Sequence, residues 1–441
     1  MSYRWSSFCL QVPVSNGIIL KSSLTGAVEF VPRKTLDEIN AWLGNQNRLP
    51  EPSLVAKFTD SDTAILVAAE QDEYHAWREE LLQARNNGAH TFILHFLPTI
   101  QCQFACSYCF ENGADRSQRM RPEIVLQSEK WLNKYLTAHP EVDTLRLVFF
   151  GGEPLLCKDI VRDALTSFHA VANRHDMEFW SELVTNGELL DEEMARTFSE
   201  HQWRRVQITL DGPEDVHNLR RGGKDGRPTF RNVMSTIQML VSTDYIQKVD
   251  VRISLDMENA DRIPELVHEL EAMGKQDRMS LSLGIITPTF SSTPQSTTES
   301  ALATKALVTW IVARECGFEI PDEFITGPWC VAIAKHSAVL QPNGYLQKCF
   351  CTSGRPEYNF GTIQTEPPRE TYLKDERFEN FCRTDACIEE NCAYLPMCGG
   401  GCIHDAVVAA GGPDGFRQRI CQKQLLTDIN EGLIRLNYDE R

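Results

Sequence analysis

Cysteines are the residues of this 441-residue chain whose type and spacing most directly indicate chemistry. Fifteen are present, three of them at Cys102, Cys106 and Cys109 and ten between Cys316 and Cys421. Clustered thiols in a reducing compartment indicate metal or iron–sulfur ligands before disulfides. Cysteines with x3 and x2 spacing in one loop can bind three irons of a 4Fe–4S cube, so the fourth iron stays open to a ligand. An open position is typical of a catalytic metal site, although a zinc knuckle with a distant fourth ligand has the same three cysteines.

A second set of seven cysteines follows in the C-terminal region. Its members are, in order, Cys330, Cys349, Cys387, Cys392, Cys398, Cys402 and Cys421. Because four-thiolate clusters consume cysteines in fours, two such sites require one more ligand or leave one position open. The nearest candidates for that ligand are Cys316, Cys351 and Cys382. A zinc-bound domain is the alternative, and in either case metal ligation stabilises a segment that is poor in apolar periodicity.

The elements that must position these residues alternate along the chain from Thr91 onward. Six apolar strands are predicted, with helical patterns between them, at Phe92–Leu97, Leu145–Phe150, Phe179–Val184, Val206–Leu210, Val249–Leu255 and Leu281–Ile286. Strand–helix repeats of this length predict parallel βα units, in an open sheet or a full or partial barrel. Ligands gather at the carboxyl ends of such strands, which is where the first cysteine loop and several Gly, Asn and Asp residues follow.

The cysteine loop and the next strand end resemble the radical SAM superfamily. Tyr108 is the aromatic residue before the third cysteine, and Gly151, Gly152 and Glu153 match the GGE motif. The resemblance implies a 4Fe–4S cluster whose open iron chelates S-adenosylmethionine, and reductive cleavage to methionine and a 5′-deoxyadenosyl radical that abstracts hydrogen from substrate. It implies that the GGE motif contacts the methionine amino group. It also implies contacts to the ribose or carboxylate at Thr185, Asn186, Thr209, Asp211 and Arg252. For each of these residues, a solvated position at a strand end is the alternative.

The seven C-terminal cysteines resemble the SPASM domain, an extension of radical SAM enzymes that carries two auxiliary 4Fe–4S clusters. Residues 392–402 fit the family pattern without exception. Four residues separate Cys387 from Cys392 where the family has two, which leaves Cys382 as a substitute for Cys387. The resemblance assigns the ligands of the two clusters as Cys330, Cys349 and Cys402, with Cys316 preferred as the fourth, and as Cys387, Cys392, Cys398 and Cys421.

The expected fold class is α/β, with three domains. Residues 91–300 are expected to form a partial (β/α)6 radical SAM barrel, and residues 301–441 a bridging helix and an irregular iron–sulfur domain. Residues 1–90 are expected to form a small α+β module, interpreted as a winged-helix element that recognises a precursor peptide. A plain N-terminal cap on the barrel is the alternative for that module.

Composition and charge restrict the partners. A net charge of −17 argues against nucleic-acid binding through a broad basic surface. The sequence has no apolar run long enough for a transmembrane helix and no signal-like N-terminus, so a cytoplasmic protein is expected.

SPASM enzymes mostly modify peptides or proteins. Anaerobic sulfatase-maturating enzymes carry an Asp directly after the cysteine that matches Cys349, whereas this chain has Phe350 there. The resemblance therefore favours a maturase that cross-links a ribosomal precursor peptide bearing a leader. A C–C or ether cross-link is expected in preference to a thioether. A formylglycine-forming enzyme and an enzyme acting on a small molecule are the alternatives. The expected reductant is a flavodoxin or ferredoxin, and no catalytic base is identified.

Overall fold

The computed structural model describes residues 2–45, 52–87, 90–287, 289–290, 299–325, 330–369, 373–375, 377 and 381–438. Three regions follow one another along the chain. They are an N-terminal α+β region, a parallel α/β sheet with its helices, and a C-terminal region of short elements.

The N-terminal region contains two small antiparallel sheets and three helices. Its elements are β1 (Tyr3–Trp5), β2 (Cys9–Val14), β3 (Gly17–Ser22), β4 (Val28–Pro32), α1 (Arg33–Asn45), α2 (Pro52–Thr59), β5 (Leu66–Ala68) and α3 (Glu73–Asn87). β2, β3 and β4 form one sheet, and β1 pairs with β5 in the other. In β2, Leu10 and Val12 are buried while Gln11 and Pro13 are exposed, so one face of the strand packs on the core. β5 follows α1 and α2 along the chain, and the winged-helix interpretation of this region stays a prediction.

Six strands of the central sheet run parallel in chain order, from β6 to β11. These strands are β6 (Thr91–Phe96), β7 (Thr144–Phe149), β8 (Glu178–Thr185), β9 (Trp203–Leu210), β10 (Val249–Leu255) and β11 (Met279–Ile285). The helices of this region are α4 (Pro122–Ala138), α5 (Lys158–Arg174), α6 (Glu192–Ser199), α7 (Glu214–Arg221), α8 (Phe230–Val241), α9 (Ile263–Glu271) and α10 (Glu299–Glu315). Among the described strands, β11 pairs with β10 and with no other strand, so the sheet stays open. The predicted α/β fold with a partial six-stranded barrel is confirmed.

Amphipathic helices hold this sheet together. Helix α5 buries residues at helical spacing, among them Val161, Leu165 and Phe168, against the strands. Phe168 lies edge-on to Phe96 of β6, with ring centroids 5.7 Å apart. Burial of one such side chain stabilises the fold by about 1.5–3 kcal/mol. Apolar periodicity of this strength explains why the six predicted strands of this region agree with the observed ones to within a few residues.

The C-terminal region extends the sheet beyond β6. Its elements are β12 (Ser337–Leu340), β13 (Tyr345–Gln347), β14 (Gly361–Thr362), α11 (Asp385–Glu389), α12 (Leu395–Cys398), α13 (Ile403–Ala410) and α14 (Lys423–Tyr438). β12 pairs with β6 in parallel, and β13 and β14 continue the sheet antiparallel. Helix α14, which the sequence analysis did not predict, packs on α10. A Cβ at Gly432 would lie 2.3 Å from Cδ1 of Leu307, so the two helices need glycine there to approach this closely.

The N-terminal region packs against the cysteine-rich part of the C-terminal region. Phe8 and Trp77 share one hydrophobic cluster with Cys392 and Met397. Arg78 donates to the hydroxyl of Thr384 at 2.6 Å. The boundaries proposed at residues 90 and 300 stay predictions. None of the helices in the described ranges combines the length and apolarity needed to cross a bilayer.

Candidate functional site

A cavity of about 620 Å³ opens at the carboxyl ends of the parallel strands. The three loop cysteines line it, together with seven of the nine residues predicted to contact S-adenosylmethionine. These seven are Tyr108, Gly151, Gly152, Thr185, Asn186, Thr209 and Arg252. Gly284 leaves room for the side chain of Arg252 to reach the cavity wall. A Cβ on Gly284 would lie 2.0 Å from Nη2 of Arg252. A pocket of this size lies within the range of small-molecule and cofactor sites.

The cysteine loop is fastened to the rest of the sheet by backbone hydrogen bonds. The N–H of Ala105 donates to the carbonyl of Gly222 at 2.9 Å, and the N–H of Lys224 donates to the carbonyl of Gln103 at 2.9 Å. The amide of Asn186 lies 3.7 Å from Sγ of Cys102. The loop is therefore positioned by the segment that follows α7 and by the end of β8.

The loop thiols fit an iron–sulfur cluster by their chemistry. Burial raises the pKa of Cys102 to about 12 and that of Cys109 to about 11, so without a metal these groups hold their protons. Arg116 donates to Sγ of Cys109 at 3.0 Å and is placed to stabilise a thiolate there. Three soft sulfur donors that share one cavity wall suit iron–sulfur ligation, in which the metal displaces the protons.

The two glycines of the GGE motif support the loop. A Cβ on Gly151 would lie 2.4 Å from the carbonyl oxygen of Thr99, and one on Gly152 would lie 2.2 Å from that of Gln101. The N–H of Gly152 donates to Thr99 at 3.2 Å, and the N–H of Glu153 donates to Gln101 at 2.8 Å. The resemblance implies that the motif contacts the methionine amino group. In the structure, the immediate effect of the two glycines is that the strand end packs directly on the cysteine loop.

Replacing Gly152 with alanine is expected to displace this loop and to lower 5′-deoxyadenosine formation by about a hundredfold, because an ångström of misplacement at a reacting centre has that effect. Iron content of the reconstituted protein and the rate of 5′-deoxyadenosine formation are the measurements. Gly44→Ala is the matched control, since no atom lies within 4 Å of the added Cβ. Wild-type iron and activity in Gly152→Ala would contradict this role.

Glu153 lies behind the wall and does not line the cavity. Its carboxylate is fully buried and accepts hydrogen bonds from the N–H of Leu155 at 2.9 Å, the N–H of Asn186 at 2.8 Å and the hydroxyl of Thr185 at 2.9 Å. Burial raises its pKa to about 7, against the opposing effect of these donors. This geometry therefore does not favour contact between the Glu153 side chain and the methionine amino group. Glu153 instead positions Thr185 and Asn186, which do line the cavity.

Asp211 is also behind the wall, in a buried charge network. Arg220 bridges Asp211 and Asp256, with nitrogen-to-oxygen distances of 3.3 and 2.7 Å. Arg221 donates to the hydroxyl of Tyr108 at 2.6 Å and lines the cavity. The sequence analysis missed both arginines because α7 is short and polar, so no apolar periodicity singled it out. The network fixes the aromatic ring of the cysteine loop and places a buried positive charge beside the cavity.

The predicted ligands of one auxiliary cluster come together in the structure. Cys387, Cys392, Cys398 and Cys421 line a single small pocket. Arg419 lies 4.0 Å from Sγ of Cys387 and pairs with Glu390. Four thiols around one pocket are the donor set that a cubane cluster takes. The side chain of Cys382, the substitute for Cys387, lies outside the described residues.

Cys351, an alternative fourth ligand of the other predicted cluster, lies beside Cys349 in the structure. Cys349 lies near Cys330 and Cys402, and its thiol is hydrogen-bonded to Cys351, which lowers the pKa of Cys349. Cys351 also lies near Cys402.

The preference for Cys316 is not supported by its position in the fold. Its Sγ lies 3.3 Å from Nδ1 of His268, at the end of α10 and in the barrel core. Cys349 belongs to the other large cluster, which the cysteine-rich region shares with the N-terminal region. Position in the sequence did not separate the two candidate ligands, since Cys316 precedes Cys330 and Cys351 follows Cys349.

Aromatic side chains form the wall between the loop cysteines and the C-terminal region. Phe350 packs on Phe150 with ring centroids 4.9 Å apart and stacks on His95 at 5.3 Å. Phe110 stacks on Phe150 at 6.0 Å. All four rings line the cavity, as do Cys351 and Cys402, so the loop cysteines and the first auxiliary group face one common space.

The chain is similar to known proteins in its sequence and in its fold. The family model of the Radical SAM superfamily matches residues 96–270. The chain is 29% identical over 133 residues to the cysteine-type anaerobic sulfatase-maturating enzyme of Clostridium perfringens (strain 13 / Type A), which is 30% of this chain and 36% of that protein. It is 24% identical over 181 residues to the PqqA peptide cyclase of Granulibacter bethesdensis, which is 40% of this chain and 43% of that protein. The chain thus spans less than half the length of either relative.

Two solved structures have a similar fold. Native anSMEcpe with bound AdoMet and the Cp18Cys peptide superposes with a TM-score of 0.60 at 17% identity, over 80% of this chain and all of that one. Streptococcus suis SuiB bound to the precursor peptide SuiA superposes with a TM-score of 0.54 at 14% identity, over 95% of this chain and all of that one.

Proposed function

Because residues 96–270 are a radical SAM domain, we propose that this chain modifies a ribosomally made precursor peptide by forming an intramolecular cross-link between side chains. Cys102, Cys106 and Cys109 would hold a 4Fe–4S cluster, and S-adenosylmethionine bound there would supply the radical chemistry that removes a hydrogen atom from the peptide. The observation that carries the proposal is the common cavity. The cysteine loop lines it on one side, and Phe350, Cys351 and Cys402 line it on the other.

Residues of the chain perform the binding and positioning. Thr185, Asn186, Thr209 and Arg252 offer polar groups to the ribose and carboxylate of S-adenosylmethionine. Arg221 holds Tyr108 against the loop. The aromatic wall of Phe110, Phe150 and Phe350 excludes water from the space where a carbon-centred radical forms, which protects that radical from side reactions.

A peptide substrate is supported by the relatives and by the N-terminal region. One relative is a peptide cyclase, and both superposed structures hold peptides. The N-terminal region has three antiparallel strands followed by helices, the element order expected of a small leader-binding module. A leader is expected to add a strand to an exposed sheet edge or to lie in a groove between helices, as peptides commonly do.

The favoured product is a cross-link in preference to formylglycine, because of the residue that follows Cys349. Phe350 stands where sulfatase-maturating enzymes carry an Asp, and its ring packs on Phe150 and His95. Oxidative cross-linking leaves a substrate radical that has to lose one more electron. Cysteine-held centres would receive it: one beside the cavity at Cys330, Cys349 and Cys402, with Cys351 as the proposed fourth ligand, and one at Cys387, Cys392, Cys398 and Cys421, which line a separate pocket. We further propose a flavodoxin or ferredoxin as reductant.

The test is an anaerobic incubation of the reconstituted protein with S-adenosylmethionine, dithionite and a short peptide encoded beside the gene. The expected product is 5′-deoxyadenosine together with a peptide lighter by two hydrogen atoms, whose fragmentation shows a cyclic segment. A peptide aldehyde that reacts with a hydrazine would favour the sulfatase-maturating alternative. Formation of 5′-deoxyadenosine without change in any peptide, but with turnover of a small molecule, would favour the other alternative.

A further inference from the structure

A group of metal-ligating side chains lies at the amino ends of the strands, on the opposite edge of the sheet from the cavity. His139 caps the C-terminus of α4, Glu141 lies just before β7, and His336 lies just before β12. We propose that His139, Glu141 and His336 bind one Zn²⁺ ion that fastens the C-terminal region to the barrel.

The ligand atoms have the spacing of a metal site. Nδ1 of His139 is 3.1 Å from Oε1 of Glu141, and Nε2 of His336 is 3.5 Å from the same oxygen. All three ligand atoms lie within 4.8 Å of one another. In a tetrahedral zinc site with ligands at about 2.0–2.1 Å, the ligand atoms lie about 3.3 Å from one another. The distances of 3.1 and 3.5 Å lie on either side of that value.

The outer ring nitrogens of both histidines are already hydrogen-bonded, as in zinc sites. Nε2 of His139 lies 3.1 Å from the carbonyl oxygen of Pro368, which can only accept, so this nitrogen carries the hydrogen. When His139 is neutral, its Nδ1 therefore presents a lone pair toward Oε1 of Glu141, 3.1 Å away, and one metal ion can bind both atoms. Nδ1 of His336 lies 2.5 Å from the hydroxyl of Tyr135. When it donates there, Nε2 of His336 presents a lone pair to the same point.

The inner nitrogen of His336 needs a partner. Its side chain is fully buried, and Nε2 has no hydrogen-bond partner among the described residues.

Two imidazoles and a carboxylate suit zinc, and the half-exposed carboxylate of Glu141 leaves a fourth position to water. The ion would tie α4 and the start of β7 to β12. Because β12 precedes β13 and Cys349, the ion would also stabilise the segment that carries the first auxiliary cysteines.

The experiment uses the iron-loaded holoenzyme, supplied with Zn²⁺ and then freed of loosely bound metal. Elemental analysis is expected to give about one zinc per chain, and X-ray absorption at the zinc edge is expected to give only nitrogen and oxygen neighbours, at about 2.0–2.2 Å. Glu141→Gln and His336→Gln are expected to lower zinc content about tenfold or more, with iron content unchanged. Glu141 is partly exposed, so its variant tests the site even where His336→Gln does not fold. His169→Gln, in a histidine pair whose rings lie 5.4 Å apart, is the matched control and should keep its zinc.

A zinc spectrum with sulfur neighbours at about 2.3 Å would place the ion on cysteines and overturn the proposal. Absence of tightly bound zinc from the wild-type holoenzyme would overturn it as well, as would full zinc content in Glu141→Gln. The readout is independent of peptide modification, so the metal site stands or falls separately from the proposed function.

Discussion

Replacing Cys106 with serine is expected to lower 5′-deoxyadenosine formation by about a thousandfold, which corresponds to about 4 kcal/mol of transition-state stabilisation. Cys106 is the middle thiol of the loop, and its replacement leaves two sulfur donors where three are needed to hold a cluster with one open iron. A serine hydroxyl is a harder donor that does not replace a thiolate for iron. The measurement is the yield of 5′-deoxyadenosine under dithionite, with iron and sulfide content determined on the same sample.

The matched control is Cys157→Ser. Cys157 is fully buried in the same region, and its Sγ lies 3.9 Å from the carbonyl oxygen of Pro98, to which a serine hydroxyl can donate. This variant should keep its iron and most of its activity. If Cys106→Ser keeps the brown colour and cleaves S-adenosylmethionine at the wild-type rate, the three-cysteine loop does not hold the reactive centre.

Replacing Cys349 or Cys398 with alanine is expected to separate the two halves of the reaction. Each cysteine belongs to one of the two groups proposed to hold an auxiliary cluster, so each variant should lose one of these proposed centres while the loop at Cys102 stays intact. Cleavage of S-adenosylmethionine should continue at a reduced rate, whereas cross-linked peptide should fall by about a hundredfold or more, because the substrate radical no longer loses its electron. The ratio of cross-linked peptide to 5′-deoxyadenosine is the measurement.

Two further variants sharpen this prediction. Cys351→Ala should behave as Cys349→Ala does, because Cys351 shares a hydrogen bond with Cys349. Cys316→Ala should keep both product and iron, since its thiol lies beside His268 at the end of α10. Undiminished cross-linking in Cys349→Ala or Cys398→Ala would remove the electron-accepting role of the auxiliary groups.

The sequence by itself determined the class of chemistry and the elements that carry it. Cysteine spacing within one loop is a local property, because a few intervening residues keep Cys102, Cys106 and Cys109 close in any fold. Strand and helix positions in the barrel are also local, since they follow from apolar periodicity over a few turns. That is why β10 was predicted at Val249–Leu255, the bounds that the structure has.

Only the tertiary structure decided where individual side chains point and which distant residues meet. Glu153 and Asp211 follow strand ends that face the cavity, yet both carboxylates turn inward because buried donors on neighbouring strands and on α7 hold them there. Cys351 instead of Cys316 joins Cys349 because the chain folds back after β13 while α10 runs along the barrel. His336 meets His139 only because β12 pairs with β6. Such contacts join residues that are far apart in sequence, and their partners are set by the packing of whole elements, which no local pattern records.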